Sequence, residues 1–256
     1  MDLQLEGKRA IILGATRGIG RATAELLAEE GASVAICARN AAQVKETVAA
    51  LTARGGKAIG EVVDIAQGAA LKAFVSRVAE TFGGLDIVIS NASAMSLGST
   101  REEWLALLDI DLLGLMNLVD AALPHLEEAA STRGDAAIIA ISSASAVIAN
   151  RPEAYGAVKG ALIHLVKGYA RALARKQIRA NVVSPGTIYL ANGFWGQMER
   201  ERPEVFKRSL EHNPLGRMGT PQEIAAATVF LASPRSSFTT GANLRVDGAI
   251  TEDVNY

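Results

Sequence analysis

Residues 9–31, RAIILGATRGIGRATAELLAEEG, join a short apolar run to a helix-like run through a glycine-rich turn. The run RAIILG (9–14) has the length and the apolar character of a buried strand. In IGRATAELLAEE (19–30), apolar residues recur three and four positions apart, which predicts an amphipathic helix. The helix is expected to end at Gly31, because glycine is common just past a last helical turn. The stretch therefore predicts a strand and a helix joined by a tight turn.

The same alternation of strand-like and helix-like runs continues along the chain. Further strand-like runs are predicted at 33–38, 58–65, 85–90, 135–142, 178–184 and 243–248. Alternating strands and helices indicate an α/β protein with a parallel sheet covered on both faces. Right-handed crossovers make a doubly wound, Rossmann-type sheet of about seven strands the simplest topology. No linker-like or repetitive segment interrupts the chain, so residues 1–256 are interpreted as a single domain.

The composition restricts the classes of partner. The 256 residues carry a formal net charge of -1, with 49% hydrophobic and 21% charged residues, so neither nucleic acid nor an anionic membrane is expected as a partner. No run approaches twenty apolar residues and the first ten residues do not resemble a secretory signal, so a cytoplasmic protein is expected. The three histidines lack spaced carboxylate or cysteine partners, and no metal site is predicted. The one cysteine, Cys37, is expected to be a buried hydrophobe.

The glycine-rich turn is a candidate binding site for a pyrophosphate. Gly14, Gly18 and Gly20 allow a tight turn and a close approach of the backbone to a bulky group. The helix that begins near Ile19 directs its free N–H groups and the positive end of its dipole toward the same place. A glycine-rich turn without any ligand is the alternative, since such motifs also occur by chance.

The end of the second strand indicates which dinucleotide would bind. NAD-binding chains place an acidic residue there for the ribose hydroxyls, whereas this chain has Ala38 and Arg39. A second arginine, Arg17, lies in the glycine-rich turn, and two guanidinium groups suit a ribose 2′-phosphate. NADP(H) is therefore favoured over NAD(H), the alternative being that both arginines are merely solvated. Asp64, near the end of the third strand, is interpreted either as an acceptor for the adenine amino group or as the N-cap of the next helix.

The stretch YGAVK (155–159) is a candidate catalytic motif. Tyr155 and Lys159 are four residues apart in a predicted helix, so their side chains lie on one face. A free phenol loses its proton only near about pH 10, and a nearby ammonium favours the phenolate. Such a tyrosine can exchange a proton with a carbonyl oxygen. Ser142 and Ser143, at the end of a strand a dozen residues earlier, could orient that oxygen. Such a pair also arises by chance on exposed helices, but the nearby serines favour catalysis.

Taken together, these motifs resemble the short-chain dehydrogenase/reductase family. The resemblance covers nearly the whole chain, with the motifs in the family's order, and its last two stretches are most similar to bacterial 3-oxoacyl-acyl-carrier-protein reductases. The residues that carry it are GATRGIG (14–20), Asp64, SNAS (90–93), ISS (141–143), YGAVK (155–159), SPGTI (184–188), NPLGRMGTPQEIAAATVFLAS (213–233) and GANLRVDG (241–248).

The resemblance implies a role for each matching position. Tyr155 would be the catalytic acid/base, Lys159 its activator and a ligand of the nicotinamide ribose, and Ser143 the partner of the substrate oxygen. Asn91 would line the cofactor, and the backbone of Ile188 would meet the carboxamide. With the motifs above, the predicted cofactor site comprises Gly14, Thr16, Arg17, Gly18, Ile19, Gly20, Arg39, Asp64, Ile65, Asn91, Ala92, Tyr155, Lys159, Pro185, Gly186 and Ile188.

The chain departs from the family pattern at several positions. Asp111 stands where the family has an asparagine that is thought to hold a water in a proton relay, and it is predicted as the fourth catalytic residue. Leu190 replaces a threonine of the nicotinamide pocket. Motif alignment favours Ser143 as the catalytic serine, while strict counting favours Ser142.

The predicted activity is the NADPH-dependent reduction of a carbonyl to a secondary alcohol, reversibly, as in 3-oxoacyl reductases. The alternatives are an NAD-dependent alcohol or sugar dehydrogenase and a non-catalytic dinucleotide sensor. Enoyl reduction is disfavoured because relatives with that activity place the lysine seven residues after the tyrosine, and position 162 is Leu. Residues 187–215 are interpreted as a lid over a small-molecule substrate. Two long apolar runs, 102–128 and 154–174, predict a homo-oligomer. The resemblance implies that it is a tetramer.

Overall fold

The structure, a computed structural model, describes residues 2–149 and 152–254. Its strands are β1 (Arg9–Leu13), β2 (Ser33–Ala38), β3 (Ala58–Val62), β4 (Ile87–Ser90), β5 (Ala136–Ile141), β6 (Ile178–Pro185) and β7 (Asn243–Val246). Its α-helices are α1 (Gly18–Glu29), α2 (Ala41–Ala53), α3 (Gly68–Phe82), α4 (Arg101–Leu107), α5 (Leu113–Arg133), α6 (Ala154–Leu173), α7 (Phe194–Glu201), α8 (Pro203–Glu211) and α9 (Pro221–Ala232).

The strands form one sheet of seven, within the described residues, in the order β3-β2-β1-β4-β5-β6-β7. Every neighbouring pair is parallel. The chain builds outward from β1 in one direction and from β4 in the other, so the order reverses between these two strands. The predicted α/β, doubly wound fold is therefore confirmed. Ligands of such sheets bind at the carboxyl ends of the strands beside this reversal.

The alternation of side chains along β1 shows why both faces of the sheet are covered. Ile11 and Leu13 belong to the apolar layer shared with α3, α5 and α6, whereas Ala10 and Ile12 belong to the layer shared with α1, α2 and α9. All four side chains are fully buried. Truncating such a buried isoleucine or leucine to alanine typically costs about 2–5 kcal/mol of stability. The central strand is thus held from both sides, which fixes the turn that follows it.

Cys37 lies in β2, on the face covered by α3 and α5. Its side chain is fully buried, as expected from the sequence. Burial raises the pKa of the Cys37 thiol to about 12. The residue therefore acts as a neutral apolar side chain of the core.

Two segments differ most from the sequence-based expectation. The third strand ends at Val62 rather than at residue 65, since Val62 is already exposed and a turn follows it. Residues 187–215, for which the sequence analysis gave no secondary structure, contain two short helices, α7 and α8. Arg202 separates these helices, and Pro203 begins α8, because proline fits the first helical turn but cannot continue a preceding one.

The described helices and ionisable side chains offer neither a membrane span nor a group of metal ligands. None of these helices is long and apolar enough to cross a bilayer. Within residues 2–149 and 152–254, no group of three or more His, Cys, Asp or Glu side chains is placed to hold a metal ion.

Candidate active site

The glycine-rich turn packs directly against the end of β4. Gly14 and Gly18 have φ angles of 70° and 56°, in the left-handed region that favours glycine. A Cβ on Gly14 would lie 2.8 Å from the Cα of Ala92, and one on Gly20 would overlap the Asn91 side chain and the Gly14 carbonyl. Asn91 Nδ2 donates a hydrogen bond of 2.8 Å to that carbonyl oxygen. The predicted cofactor residues Asn91 and Ala92 therefore hold the turn in shape.

The N-terminus of α1 meets the requirements of an anion site. Arg17 precedes the helix in an extended conformation, and no side chain caps the free N–H groups of the first turn. Those N–H groups and the positive end of the helix dipole therefore remain available to a pyrophosphate. Thr16 lies beside the turn and donates a 3.3 Å hydrogen bond to Gln43 of α2. Ile19 is partly buried against the apolar layer, which anchors the first turn of α1.

Arg17 and Arg39 are two exposed cations without carboxylate partners among the described residues. Arg39 directly follows β2, and Asn40 next to it caps α2 by accepting a 3.0 Å hydrogen bond from the Gln43 N–H. Nearby arginines differ: Arg21 pairs with Glu25 of its own helix at 2.6 Å. The guanidinium groups of Arg17 and Arg39 are thus free to bind a phosphate in fork geometry.

Asp64 and Ile65 follow β3 in the turn before α3. Asp64 is exposed, and its Oδ1 accepts a 3.2 Å hydrogen bond from the Ala66 N–H. The N-cap position of α3 is Gln67, so the interpretation of Asp64 as the N-cap is wrong. Ile65 is buried in the layer shared with α3 and α5. The buried Ile65 side chain fixes this turn and leaves the Asp64 carboxylate exposed at the edge of the sheet, where an adenine amino group could donate a hydrogen bond to it.

Tyr155 and Lys159 occupy successive turns at the start of α6. The Lys159 Nζ lies 5.6 Å from the centroid of the Tyr155 ring. Lys159 is buried, and its ammonium donates a 3.0 Å hydrogen bond to the Ile141 carbonyl at the end of β5. Tyr155 is half-buried against the small apolar cluster that contains Leu107 and Val158. The pairing expected from helical spacing is therefore present in the structure.

The two serines after β5 have different surroundings. Ser142 is buried, and its hydroxyl donates a 2.8 Å hydrogen bond to the Lys159 carbonyl. Ser143 is half-buried, and its oxygen accepts a 3.1 Å hydrogen bond from the Ser145 N–H at the start of a 3₁₀ turn. The Ser142 proton is therefore engaged within the protein, whereas Ser143 retains its proton for another acceptor.

Gly156 allows α6 to approach that serine turn closely. A Cβ at this position would lie 2.5 Å from the Ser145 carbonyl oxygen, which forbids any larger residue without a shift. The glycine within YGAVK thus brings Tyr155 and Ser143 to the same edge of the sheet. Sequence reasoning did not assign this role to Gly156, although its position next to Tyr155 was the available signal.

Asp111 lies in a π-helical turn, Leu108–Leu112, inserted between α4 and α5. Its Oδ2 accepts a 2.9 Å hydrogen bond from the Ala94 N–H, and its Oδ1 lies 2.9 Å from the Lys159 Nζ. The second contact is ionic, since its geometry is not that of a hydrogen bond. Single π-helical turns are frequent at functional sites. This direct ion pair was not predicted from the sequence, which placed Asp111 by motif position alone.

Residues 185–188 carry the end of β6 into the segment before the two short helices. Gly186 packs against Asp247, where a Cβ would lie 2.7 Å from the Asp247 Cα. Ile188 forms a parallel bridge with Gly219. The bridge uses the Thr187 carbonyl and the Tyr189 N–H, so the N–H and carbonyl of Ile188 itself point to the opposite side. Pro185 ends the strand, and Ile188 is free to offer its backbone to a ligand.

The segment that includes α7 and α8 is held by its own side chains. The Tyr189 hydroxyl donates a 2.6 Å hydrogen bond to Glu199, which raises the pKa of Tyr189. The Tyr189 ring also meets Phe206 edge to face, with centroids 6.0 Å apart. Leu190 lies near the glycine-rich turn, 3.6 Å from where a Cβ of Gly18 would be. The start of this segment therefore lies beside the glycine-rich turn.

An uncapped helix after a glycine-rich turn and a tyrosine–lysine–serine group at one edge of a parallel sheet define a dinucleotide-dependent oxidoreductase. Comparison with known proteins gives the same class. The family model described as "Enoyl-(Acyl carrier protein) reductase" matches residues 14–251.

Similar proteins cover nearly the whole chain. Isoepoxydon dehydrogenase of Penicillium expansum is 36% identical over an alignment of 251 positions that covers 96% of this chain and 95% of that protein. The 3-oxoacyl-[acyl-carrier-protein] reductase of Thermotoga maritima is 31% identical, with coverage of 97% and 99%. A short-chain dehydrogenase from Burkholderia cenocepacia, solved in complex with NADP, superimposes with a TM-score of 0.85 at 31% identity, with coverage of 96% and 99%. The chain belongs to the short-chain dehydrogenase/reductase family, whose members are NAD(P)-dependent oxidoreductases.

Proposed function

We propose that the protein is an NADPH-dependent reductase that converts a carbonyl into a secondary alcohol, reversibly. The observation that carries this proposal is the placement of the Lys159 ammonium 5.6 Å from the Tyr155 ring, at the same sheet edge as Ser143. An ammonium at this place stabilises the phenolate that remains when tyrosine gives up its proton. Such a tyrosine can serve as general acid in reduction and as general base in oxidation.

The residues of the glycine-rich turn fit a dinucleotide. Gly14 and Gly20 let the backbone of the turn pack so closely against Asn91 and Ala92 that a Cβ at either position would clash. The N–H groups at the start of α1 have no side-chain cap. The unpaired guanidinium groups of Arg17 and Arg39 favour a ribose 2′-phosphate over a ribose hydroxyl. The NADP complex of the similar Burkholderia cenocepacia protein supports the same choice. When bound, the cofactor supplies the hydride.

Each catalytic side chain has a separate task in this proposal. Ser143 donates a hydrogen bond to the substrate oxygen and holds it beside the Tyr155 hydroxyl. Tyr155 gives its proton to that oxygen as negative charge develops there, which lowers the barrier to reduction. Lys159 keeps its ammonium under the ring through the Ile141 carbonyl. Ser142 fixes the start of α6 through its bond to the Lys159 carbonyl, so it acts as a structural residue.

The substrate lies beneath a lid formed by residues 187–215, with residues 1–256 as one functional domain. Tyr155 and Lys159 four residues apart support carbonyl rather than enoyl chemistry, although the matching family model carries an enoyl reductase description. The similarity to a 3-oxoacyl reductase makes 3-oxoacyl thioesters the first substrates to test, followed by ketones and keto-sugars.

The proposal is tested with this substrate panel and with Tyr155→Phe, followed by the absorbance of NADPH. We expect turnover of at least one carbonyl by the unmodified protein and a loss of at least about a hundredfold in the variant, because general acid catalysis contributes that much. NADPH binding, measured by fluorescence, should be nearly unchanged. Tyr169→Phe is the matched control, since it removes a hydroxyl from the same helix. Equal turnover in Tyr155→Phe would contradict the mechanism, and NADPH binding without turnover of any substrate would favour a sensor.

A further inference from the structure

The carboxylate of Asp111 is held in one orientation beside the Lys159 ammonium. Its side chain is fully buried, and that of Lys159 is 3% exposed. The Ala94 N–H binds one carboxylate oxygen, and the Lys159 ammonium contacts the other at 2.9 Å. Removing two charges from water is costly unless they pair, and here each charge has the other as a partner and one hydrogen bond besides, from the Ala94 N–H to Asp111 and from Lys159 to the Ile141 carbonyl. The pair is therefore a fixed electrostatic feature of the site.

Other ionisable groups around this pair lie farther from the ammonium or are otherwise engaged. On α6, Glu153 precedes the helix and Tyr155 is the proton donor. On α4, Glu103 is bound in a capping box with Thr100. Asp109 is exposed in the π-helical turn. Residues 91–100 and 141–149, which complete the surroundings in the described part of the chain, contain no Asp, Glu, Lys, Arg or His.

We propose that Asp111 is a positioning residue that holds the Lys159 ammonium under Tyr155 and offsets its charge, which makes the Tyr155 phenolate less favourable than it would be beside an unpaired lysine. The inference rests on the proposed function, because it assigns a direction to the same proton transfer. The Asp111 carboxylate weakens the stabilisation that the Lys159 ammonium gives to the Tyr155 phenolate, because it puts an opposite charge 2.9 Å from that ammonium. A neutral residue at position 111 would leave the full positive charge and favour the phenolate. The carboxylate thus favours the form of the tyrosine that donates a proton to a carbonyl.

The substitution Asp111→Asn tests this inference without any cofactor or substrate. The ionisation of Tyr155 is measured as tyrosinate ultraviolet absorbance against pH. For each protein, the titration curve of a version that also carries Tyr155→Phe is subtracted, which leaves the contribution of Tyr155 alone. We expect the Tyr155 transition to move to lower pH by about one unit when the negative charge is removed. Asp109→Asn is the matched control, since it removes the same charge from an exposed position two residues away, and its titration should stay within about 0.2 unit of the unmodified protein.

A matching change is expected in the enzyme reaction. Oxidation of the alcohol needs the phenolate, so the pH at which its rate reaches half of the maximum should also fall in Asp111→Asn. An unchanged transition, a rise, or a shift equal to that of Asp109→Asn would overturn the inference. If Asp111→Asn fails to give a native circular dichroism spectrum, Asp111→Ser supplies a smaller neutral residue with the same expected shift.

The outcomes separate this inference from the proposed function. A downward shift in a protein that reduces none of the carbonyls would support the charge-offset role and refute the reductase. Turnover that depends on Tyr155 with no shift in Asp111→Asn would support the reductase and refute the role of Asp111.

Discussion

Arg39 directly follows β2, at the point where dinucleotide-binding chains contact the adenosine ribose. We predict that Arg39→Asp reverses the cofactor preference, because aspartate repels a 2′-phosphate and accepts hydrogen bonds from ribose hydroxyls. Losing a charge-assisted hydrogen bond of roughly 1.5–3 kcal/mol lowers kcat/KM for NADPH by about tenfold to a hundredfold. The same substitution should raise kcat/KM for NADH, measured with one substrate and both reduced cofactors.

Arg171→Asp is the control for this substitution. Arg171 is exposed and lies at the far end of α6 from Tyr155. Its substitution by aspartate changes the net charge of the chain by the same amount as Arg39→Asp. The cofactor preference of Arg171→Asp should therefore equal that of the unmodified protein. A preference for NADPH that survives Arg39→Asp would mean that Arg17 or the backbone selects the phosphate.

At the scale of single residues, the sequence predicts contacts that follow from regular geometry. Tyr155 and Lys159 meet because residues four apart share a helix face. The ion pair between Asp111 and Lys159 could not be predicted in this way, because it depends on a π-helical turn and on the packing of α6 against that turn. The different surroundings of Ser142 and Ser143 likewise depend on the backbone direction after β5, which alignment alone left open.

At the scale of elements, the N-terminus of α9 follows the segment that contains α7 and α8. Thr220 accepts a hydrogen bond from the Glu223 N–H, and Glu223 binds the Thr220 N–H in return, which is a capping box. Hydrogen bonds from Arg217 hold the pKa of Glu223 at about 2, so the carboxylate stays ionised at neutral pH. We predict that Thr220→Ala lowers the free energy of unfolding by about 1 kcal/mol, measured by urea denaturation.

Thr52→Ala is the matched control for the capping threonine. The Thr52 hydroxyl is exposed within α2 and donates only to the Val48 carbonyl one turn earlier. Alanine also has a higher helix propensity than threonine, so this substitution should be neutral or slightly stabilising. Equal losses of stability in Thr220→Ala and Thr52→Ala would mean that the capping box makes no net contribution.

The elements predicted best from the sequence are the central strands, because their apolar runs are buried on both faces. β2 agrees with its predicted range, and β1 differs by one residue at its end. The end of β3 was predicted less well because β3 is an edge strand, in which Val62 is exposed. The apolar run in the sequence therefore does not show where β3 stops pairing with β2. The division between α7 and α8 follows from Pro203, which begins α8 and could not continue α7.

At the scale of the whole molecule, the fold follows from the alternation of strands and helices with right-handed crossovers. These rules predict a doubly wound parallel sheet and place its ligand site at the carboxyl ends of the strands. Gly14 after β1, Asn91 after β4 and Ser143 after β5 all lie at that edge. The rules do not predict the substrate, since the two short helices α7 and α8, within the predicted lid, have no counterpart in the regular alternation.

The exposed apolar surface leads to a prediction about assembly. Leu105 and Leu113 are 44% and 42% exposed where α4 leads into α5, and the two long apolar runs that contain α5 and α6 predict a face paired with a second copy. We expect analytical ultracentrifugation to give a homo-oligomer, specifically a tetramer.

Leu113→Asp should reduce the assembly to smaller species, because a charge at a contact between copies is left without a partner. Val62→Asp is the control, since Val62 is 58% exposed but lies on edge strand β3, away from that face. A monomer in the unmodified protein would contradict the prediction, and equal dissociation by both variants would place the contact elsewhere.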